Sequence, residues 1–351
     1  MIRIRSISKK LGNFTLRNIS LNVKENEYLV LLGASGAGKT VLLELLAGLV
    51  LPDTGTIVLD GRDITREKIQ KRKIGLVYQD HALFPHMTVY KNIAYGLAAT
   101  GLNRKNIREK VRALAKQTGV EHLLERKPST LSGGEAQRTA LARTLAPEPR
   151  CLLLDEPLSS LDRGARSGLR SLLRNLHRQG YTVIHVTHNY EEAASLASRV
   201  AVIENGSLTQ TGQIEEVLKH PASEFVAEFT GIRNFFKGEL RRPKHGETAS
   251  FLTEDLTLSI LTDAEAGPGY CLVRSKDVTV SAVRPDTSAR NRFRGTVVDI
   301  EPVHPGMEVK IDIGFHISAL CTGESVNTLA IEVGGSVWVT FKASAVVFIS
   351  R

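Results

Sequence analysis

The stretch from Tyr28 to Thr40, YLVLLGASGAGKT, decides the fold of the first part of the chain. Residues 28–32 are all apolar or aromatic and predict a buried strand, while residues 41–51 predict a helix. The glycine-rich turn between them fits the pattern GxxxxGK[ST]. A strand, a loop of this pattern and a helix together predict a phosphate-binding loop, because the curled backbone and the helix N-terminus both direct N–H groups at an anion.

We therefore expect the loop residues to contact a nucleotide. Lys39 has the reach for the β- and γ-phosphates, and the Thr40 hydroxyl is a suitable Mg²⁺ ligand. The predicted nucleotide-binding residues are Gly33, Ala34, Ser35, Gly36, Ala37, Gly38, Lys39 and Thr40.

Bulk composition limits the possible number of domains and the possible classes of function. A chain of 351 residues with 42% hydrophobic residues favours two domains with full cores. The net charge of +9 is spread along the chain, without the basic block of a dedicated nucleic-acid patch. The three cysteines lack metal spacing and suit free thiols in a reducing cytosol. The longest apolar run, residues 41–51, is broken by Glu44 and too short to span a bilayer, so other subunits would do any spanning.

Strand and helix patterns alternate up to about residue 230 and give way to short strands after it. Residues 1–230 predict an α/β P-loop NTPase domain, with a parallel sheet of apolar strands such as 74–78, 151–154 and 182–186. Residues 231–351 predict an all-β domain of small barrels.

Two further segments carry chemistry. Ser132, Gly133 and Gly134 open a predicted helix and form a second candidate anion site. The apolar strand 151–154 ends in Asp155 and Glu156. Asp155 suits a Mg²⁺ contact, and Glu156 suits a base that polarises an attacking water.

The loop at 33–40, the LSGGE segment at 131–135, the LLLDEP strand at 152–157 and their order resemble the ATP-binding subunit of ABC transporters. This resemblance covers residues 1 to about 230. It implies that Gln79 senses Mg²⁺ and water, that His188 contacts the γ-phosphate, and that Asp162 in the segment 159–162 crosses a dimer interface. It also implies a homodimer in which Ser132, Gly133 and Gly134 contact, in trans, ATP held by the partner's loop, and in which residues 83–89 receive a membrane subunit.

The chain departs from the family pattern at the adenine. The family places an aromatic residue near position 11, where this sequence has Leu11. Phe14 is the alternative for the stacking contact.

The C-terminal part narrows the group. An importer subunit with a β-rich tail resembles those that serve oxyanions, ferric iron, polyamines and sugars, and residues 287–351 resemble a molybdate-binding, Mop-type (TOBE) barrel. A tetrahedral dianion needs N–H groups, hydroxyls and cations. The predicted oxyanion residues are Ser288, Arg290, Asn291, Lys342 and Ser344. The alternative is a solvated basic strand edge, since Arg290, Arg292 and Arg294 alternate onto one face.

The sequence thus predicts the ATPase of a molybdate or tungstate importer, with ATP and Mg²⁺ as cofactors. Its expected partners are a second copy, two membrane permease subunits and, indirectly, an extracytoplasmic binding protein, at the cytoplasmic face of the membrane. Oxyanion bound to the tail would inhibit it. Sulfate, ferric iron, polyamine or sugar remains an alternative cargo. An intracellular oxyanion sensor or a soluble ABC ATPase remains an alternative of another class.

Overall fold

The computed structural model describes residues 2–98, 100–159, 161–219, 221–229, 233–242, 248–253, 256–303 and 305–350. The chain divides into two compact units, Met1–Val217 and Leu218–Arg351.

The first unit alternates strands and helices, as the sequence predicts. Its described strands are β1 (Ile2–Leu11), β2 (Phe14–Val23), β3 (Tyr28–Leu32), β4 (Thr54–Leu59), β5 (Arg62–Asp63), β6 (Ile74–Val77), β7 (Cys151–Asp155), β8 (Thr182–Thr187), β9 (Arg199–Glu204) and β10 (Ser207–Gly212). Its described α-helices are α1 (Lys39–Ala47), α2 (Val89–Ala94), α3 (Arg104–Thr118), α4 (Gly133–Leu145), α5 (Arg163–Arg178), α6 (Tyr190–Leu196) and α7 (Ile214–Lys219), the last of which continues past Val217. Its short 3₁₀ turns are Ile69–Lys71, Tyr95–Leu97, Glu121–Leu123 and Pro128–Thr130.

A six-stranded sheet of order β10-β9-β3-β8-β7-β6 forms the centre of this unit. Strands β9, β3, β8, β7 and β6 run parallel, and only β10 pairs antiparallel. Every residue of β3, β7 and β8 is buried, as apolar strands covered on both faces require. Because β3, β7 and β8 are adjacent and parallel, the residues that follow their carboxyl ends meet at one edge of the sheet.

A second, antiparallel sheet of order β2-β1-β4-β5 completes the unit. The patterns of residues 2–8 and 18–24 predict a short β-hairpin; the structure has longer strands there, with β2 beginning earlier, at Phe14, and ending at Val23. The apolar residues of β1, β2 and β4 join the buried cluster under α1 and β3.

Helix α1 ends at Ala47, so the predicted extension to residue 51 is wrong. Gly48 has a φ of 86° and donates its N–H to the Glu44 carbonyl, which ends the helix with a left-handed residue. Arg72, fully buried, donates from Nη1 to the carbonyls of Leu45 and Leu46 at 2.7 and 3.0 Å. A Cβ at position 48 would lie 2.4 Å from the Arg72 Nε, so glycine is required there on both counts.

The second unit is built from antiparallel strands. Its described strands are β11 (Asn234–Arg241), β12 (Ala249–Leu252), β13 (Thr257–Ile260), β14 (Gly267–Val273), β15 (Thr279–Ser281), β16 (Asn291–Val303), β17 (Gly306–Asp312), β18 (His316–Cys321), β19 (Ser336–Phe341) and β20 (Val346–Ser350). Its described helices are α8 (Glu224–Phe229) and α9 (Gly323–Thr328), with 3₁₀ turns at Ser275–Asp277 and Ala343–Ala345. The strands form two five-stranded sheets of order β13-β12-β11-β14-β20 and β15-β19-β16-β17-β18.

Two buried asparagines join the sheets of the second unit. The Asn234 side chain donates to the Ser318 carbonyl at 2.8 Å and accepts from the Ser318 N–H at 2.6 Å. Asn291 makes the same pair of bonds with Ser259, at 2.9 and 2.7 Å. Each asparagine replaces a missing backbone partner, so the strands stay paired where the sheets meet.

Candidate nucleotide-binding site

The glycine-rich loop follows β3 and curls as its composition predicts. Gly36 and Gly38 have φ values of 81° and 101°, which favour glycine. Lys39 is 5% exposed, and its Nζ donates to the carbonyls of Gly33 and Ala34 at 2.8 Å each. Burial lowers the pKa of Lys39, while the nearby carboxylates of Glu156 and Asp155 oppose that shift. The lysine side chain thus lies inside the curl of the loop, hydrogen-bonded to its carbonyls.

An open cavity of about 420 Å³ lies against this loop. It is lined by Leu11, Phe14, Ser35, Gly36, Gly38, Lys39, Thr40, Val41 and Glu156. A Cβ at Gly38 would lie 2.5 Å from the Phe14 ring, so that ring packs directly on the loop backbone. Leu11, 39% exposed, lies at the same cavity, and both candidates for the adenine contact are therefore present.

The end of β7 meets the start of α1. The Thr40 hydroxyl donates to the two carboxylate oxygens of Asp155 at 3.2 and 3.0 Å. Burial raises the pKa of Asp155, and the Thr40 hydrogen bond and the Lys39 charge partly offset this. A hydroxyl and a carboxylate at hydrogen-bond distance form an all-oxygen donor set, which fits a hard cation such as Mg²⁺.

Glu156, the next residue, turns towards a neighbouring strand end. Its φ of 44° is left-handed, which is costly for a residue with a side chain and is typical of functional turns. Its Oε1 lies 2.9 Å from Nδ1 of His188, which follows β8. His188 is 53% exposed and Glu156 is 15% exposed, so the pair faces solvent from the cavity edge.

Gln79 lies just past the end of β6 and is exposed, and it does not line this cavity. The loop after it is fixed from helix α4: Arg143 donates to the carbonyls of Ala82 and His81 at 2.8 and 3.1 Å. Its guanidinium also stacks over the Phe84 ring, 5.1 Å from the centroid. His81 and Ala82 have φ values of 65° and 44°, so Arg143 holds a strained turn.

The LSGGE segment begins helix α4 with a capping box. Ser132 Oγ accepts from the Glu135 N–H at 3.4 Å, and the Ser132 N–H donates to the Glu135 carboxylate at 2.8 Å. This exchange lowers the pKa of Glu135. A Cβ at Gly134 would lie 3.0 Å from the Ala165 Cβ, so helix α5 requires a small residue there.

Within one chain, Ser132, Gly133 and Gly134 do not line the cavity at the phosphate loop. Asp162 instead caps α5, where its carboxylate accepts from the Ala165 N–H at 2.9 Å. Ser160, its neighbour in the predicted interface segment, lies outside the described residues.

Sequence reasoning missed Arg72 and Arg143. Each is a guanidinium that donates to backbone carbonyls at a loop or helix end. Nothing in the local pattern distinguishes such an arginine from a surface one, because its partners lie far along the chain.

The predicted oxyanion residues converge less than the predicted nucleotide-binding residues do. Lys342 and Ser344 line an open groove of the second unit, together with Lys276, Thr287 and Thr340 among others. Three predicted residues do not line this groove: Ser288, Arg290 and Asn291.

Two residues of this segment are already engaged: Asn291, a predicted oxyanion residue, and Arg292, a residue of the predicted basic edge. Asn291 is 2% exposed, and its amide is paired with Ser259. Arg292 donates to the carbonyls of Ala289 and Thr287, so it folds the turn before β16.

Comparison with known proteins agrees with this geometry. The family model described as ABC transporter matches residues 16–159, and the TOBE domain model matches residues 287–348. The chain is 44% identical to the molybdate/tungstate import ATP-binding protein of Pyrococcus abyssi, over 99% of both chains. It is 38% identical to the Fe(3+) ions import ATP-binding protein of Brucella abortus, over 89% of this chain and 87% of that protein.

A solved structure, a dimeric ATP-binding cassette in a post-hydrolysis state bound to ADP and Pi, matches with a TM-score of 0.56. It is 28% identical in sequence, and the match covers 61% of this chain and 99% of that one.

Fold and site together define a P-loop ATPase with an added β domain. The chain belongs to the ABC transporter family as an ATP-binding subunit with a TOBE domain, and its enzymatic class is that of a transport-coupled ATPase. The predicted resemblance and fold class are confirmed. Among the described residues, no helix has both the length and the apolarity needed to cross a membrane.

Proposed function

We propose that this protein is the ATP-hydrolysing subunit of a molybdate or tungstate importer. The observation that carries the ATPase part is the meeting of the phosphate loop, Asp155, Glu156 and His188 at the carboxyl ends of adjacent parallel strands. The cargo rests on the 44% identity over the whole length to an importer of those oxyanions, against 38% over a shorter span for the ferric-iron relative.

Thr40 and Asp155 are the residues that would hold Mg²⁺, since their oxygens already lie together and Asp155 is buried beside Lys39. When bound, the ion supplies charge neutralisation at the phosphate oxygens. Gln79 is the third predicted Mg²⁺ ligand; its side chain is exposed here and is not among the residues that line the cavity.

Glu156 is suited to orient the attacking water and to take up its proton. Its carboxylate sits at the cavity edge and is fixed by Nδ1 of His188. Lys39 would provide a cation to the transferred phosphoryl group, and His188 a hydrogen bond to it.

A homodimer would complete the site. Ser132, Gly133 and Gly134 lie at the exposed N-terminus of α4, which carries partial positive charge suited to phosphate. In the free chain the Glu135 carboxylate accepts from the N–H and the hydroxyl of Ser132, so a nucleotide held by the partner would meet a helix end at which Ser132 is already engaged. The dimeric state of the solved cassette supports this arrangement.

Two membrane permease subunits would dock on the loop after Gln79, with an extracytoplasmic binding protein delivering the cargo to them. Tyr95 is 55% exposed and packs on Phe84 with ring centroids 4.6 Å apart, which leaves an aromatic surface beside that loop. Docking there places the chain at the cytoplasmic face of the membrane.

The test of the cargo is metal accumulation in cells that lack the gene. Cells grown on limiting molybdate, tungstate, sulfate or ferric iron are compared after return of the wild-type gene or of the Glu156→Gln variant. Recovery of cellular molybdenum or tungsten by the wild type alone supports the proposal. Recovery of sulfur or iron only would reassign the cargo while leaving the ATPase in place.

We also propose that imported oxyanion binds the second unit and inhibits ATP hydrolysis. The groove beside Lys342 and Ser344 offers two ammonium groups, counting Lys276, and several hydroxyls, the groups that hold a tetrahedral dianion, and it also contains the carboxylate of Asp277. ATP hydrolysis is measured against molybdate concentration in the wild type and in an Arg290→Ala/Lys342→Ala variant. Loss of inhibition in the variant supports the proposal, and unchanged inhibition contradicts it.

A further inference from the structure

A chain of buried polar side chains runs from β3 to the turn that carries His188. Tyr28 and His185 are fully buried, and Thr187 and Glu192 are 2% and 3% exposed. The Tyr28 hydroxyl lies 2.9 Å from Nδ1 of His185, and Nε2 of His185 lies 3.7 Å from Oε2 of Glu192. That same carboxylate oxygen accepts from the Thr187 hydroxyl at 2.7 Å.

Burial fixes the protons along this chain. It raises the pKa of Tyr28 and lowers the pKa of His185 to about 3, so both side chains are neutral near pH 7. The tautomer that places a donor opposite the Glu192 carboxyl group makes Nδ1 the acceptor for the Tyr28 O–H, since a neutral imidazole accepts at one nitrogen and donates at the other. The single proton of His185 then lies on Nε2, which faces the Glu192 carboxylate.

At its other end this series of polar side chains reaches the residues on either side of His188. The Thr187 hydroxyl accepts from the Asn189 N–H at 3.0 Å while it donates to Glu192. The Asn189 side chain accepts from the Glu192 N–H at 3.2 Å. The residues immediately before and after His188 are therefore tied to the same glutamate.

A buried carboxylate is a costly way to fill space, because its desolvation weighs against folding. The neighbouring charges of Arg166, Arg170 and His188 offset only part of the rise that burial causes in the pKa of Glu192. An apolar residue would satisfy packing at this position, but it would leave the Thr187 hydroxyl without its acceptor. The arrangement is explained by the need to orient the turn.

We propose that Glu192 is a positioning residue for His188. It acts through Thr187 on the backbone of the turn, and the His185–Tyr28 pair lies beside it, with Nε2 of His185 3.7 Å from its carboxylate. The inference rests on the proposed contact of His188 with the phosphoryl group. It adds residues of β3, β8 and α6 that set the orientation of His188.

The test uses ATP hydrolysis, nucleotide binding and thermal unfolding of the purified full chain. Glu192→Ala removes the acceptor and should lower kcat by about tenfold or more, with the Kd of ATP unchanged, because only the orientation of His188 is affected. Glu192→Gln retains an oxygen that accepts from Thr187 and should stay within about threefold of wild type. Thr187→Val and Thr187→Ser form a second pair with the same expected contrast, which serves if Glu192→Ala does not fold.

Combination with His188→Ala separates positioning from general stability. If Glu192 acts through His188, Glu192→Ala adds less than about twofold to the loss already caused by His188→Ala. A further tenfold loss in the double variant, or equal losses in Glu192→Gln and Glu192→Ala, would overturn the inference.

The same variants distinguish a failure of the proposed role of His188 from a failure of the positioning role of Glu192. If His188→Ala itself keeps wild-type activity, the proposed role of His188 fails. If His188→Ala is inactive while Glu192→Ala and Thr187→Val match wild type, only the positioning role fails.

Discussion

The nucleotide site of the first unit and the candidate oxyanion groove of the second unit are built in different ways. In the first unit, side chains from β3, β7 and β8 converge because parallel strands bring their carboxyl ends together. In the second unit, Lys342 and Ser344 line an open groove, while Asn291 is buried between strands. The first site is fixed by sheet topology, and the second depends on side chains placed on an antiparallel surface.

This difference determines how well a sequence motif predicts the geometry of a binding site. A glycine-rich loop after an apolar strand specifies its backbone, and the backbone then places Lys39 and Thr40. A scatter of cations and hydroxyls on β-strands specifies only composition, since a single amide can serve an anion or a strand junction. The predictions below test this contrast, beginning with the effects expected to be largest.

The largest effect is expected at the first site. Glu156→Gln removes the carboxylate that is proposed to activate the attacking water while preserving shape, so kcat for ATP hydrolysis should fall by about 10²- to 10³-fold. ATP binding, measured by equilibrium titration, should stay near wild type, because Lys39 and the loop are untouched. Activity within tenfold of wild type would show that another group activates the water.

Arg72→Met should lower the free energy of unfolding of the first unit by about 2–4 kcal/mol, since it leaves buried carbonyls at the end of α1 without donors. Denaturant unfolding followed by far-UV circular dichroism measures the helices. Fluorescence of the single tryptophan, Trp338 in β19, reports the second unit in the same experiment. Arg72→Lys, which keeps the charge and one donor group, is the matched control and should lose less.

Acid should destabilise the first unit through His185. His185 titrates near pH 3 when folded and near 6.5 when unfolded, so only the unfolded chain binds this proton between those values. Its contribution to stability is complete above pH 6.5 and declines as the pH falls, by about 1.4 kcal/mol per pH unit at most. The raised pKa values of Asp155 and Glu192 act in the opposite direction, so the measurement is the difference in slope between wild type and His185→Phe. Equal slopes in the two proteins would show that His185 takes up a proton in the folded state.

The sequence predicted most of the fold, and it predicted the nucleotide site better than the buried side chains that support that site. The strands around the phosphate loop were predicted because apolar runs between turns leave few alternatives. Strands β5, β10, β11, β15 and β18 were not predicted; β11 and β18, for example, mix polar and apolar residues where the sheets of the second unit meet. The contacts of Arg72 and His185 were missed for another reason. Arg72 reaches carbonyls 26 and 27 residues away, and His185 reaches Tyr28 across 157 residues, so only the folded chain reveals them.

The smallest effects are expected in the second unit, and they decide which residues hold an oxyanion there. Calorimetric titration of the full chain with molybdate should show Lys342→Ala weakening binding by about three- to tenfold, because one ammonium is lost from an open, solvated groove. Arg290→Ala should have a smaller effect than Lys342→Ala, since Arg290 does not line that groove. Asn291→Ala should instead destabilise the unit, because it leaves the Ser259 backbone unpaired. The reverse order, with Arg290 dominant, would place the anion on the basic strand edge and would mean that composition had located the second site as well as the motif located the first.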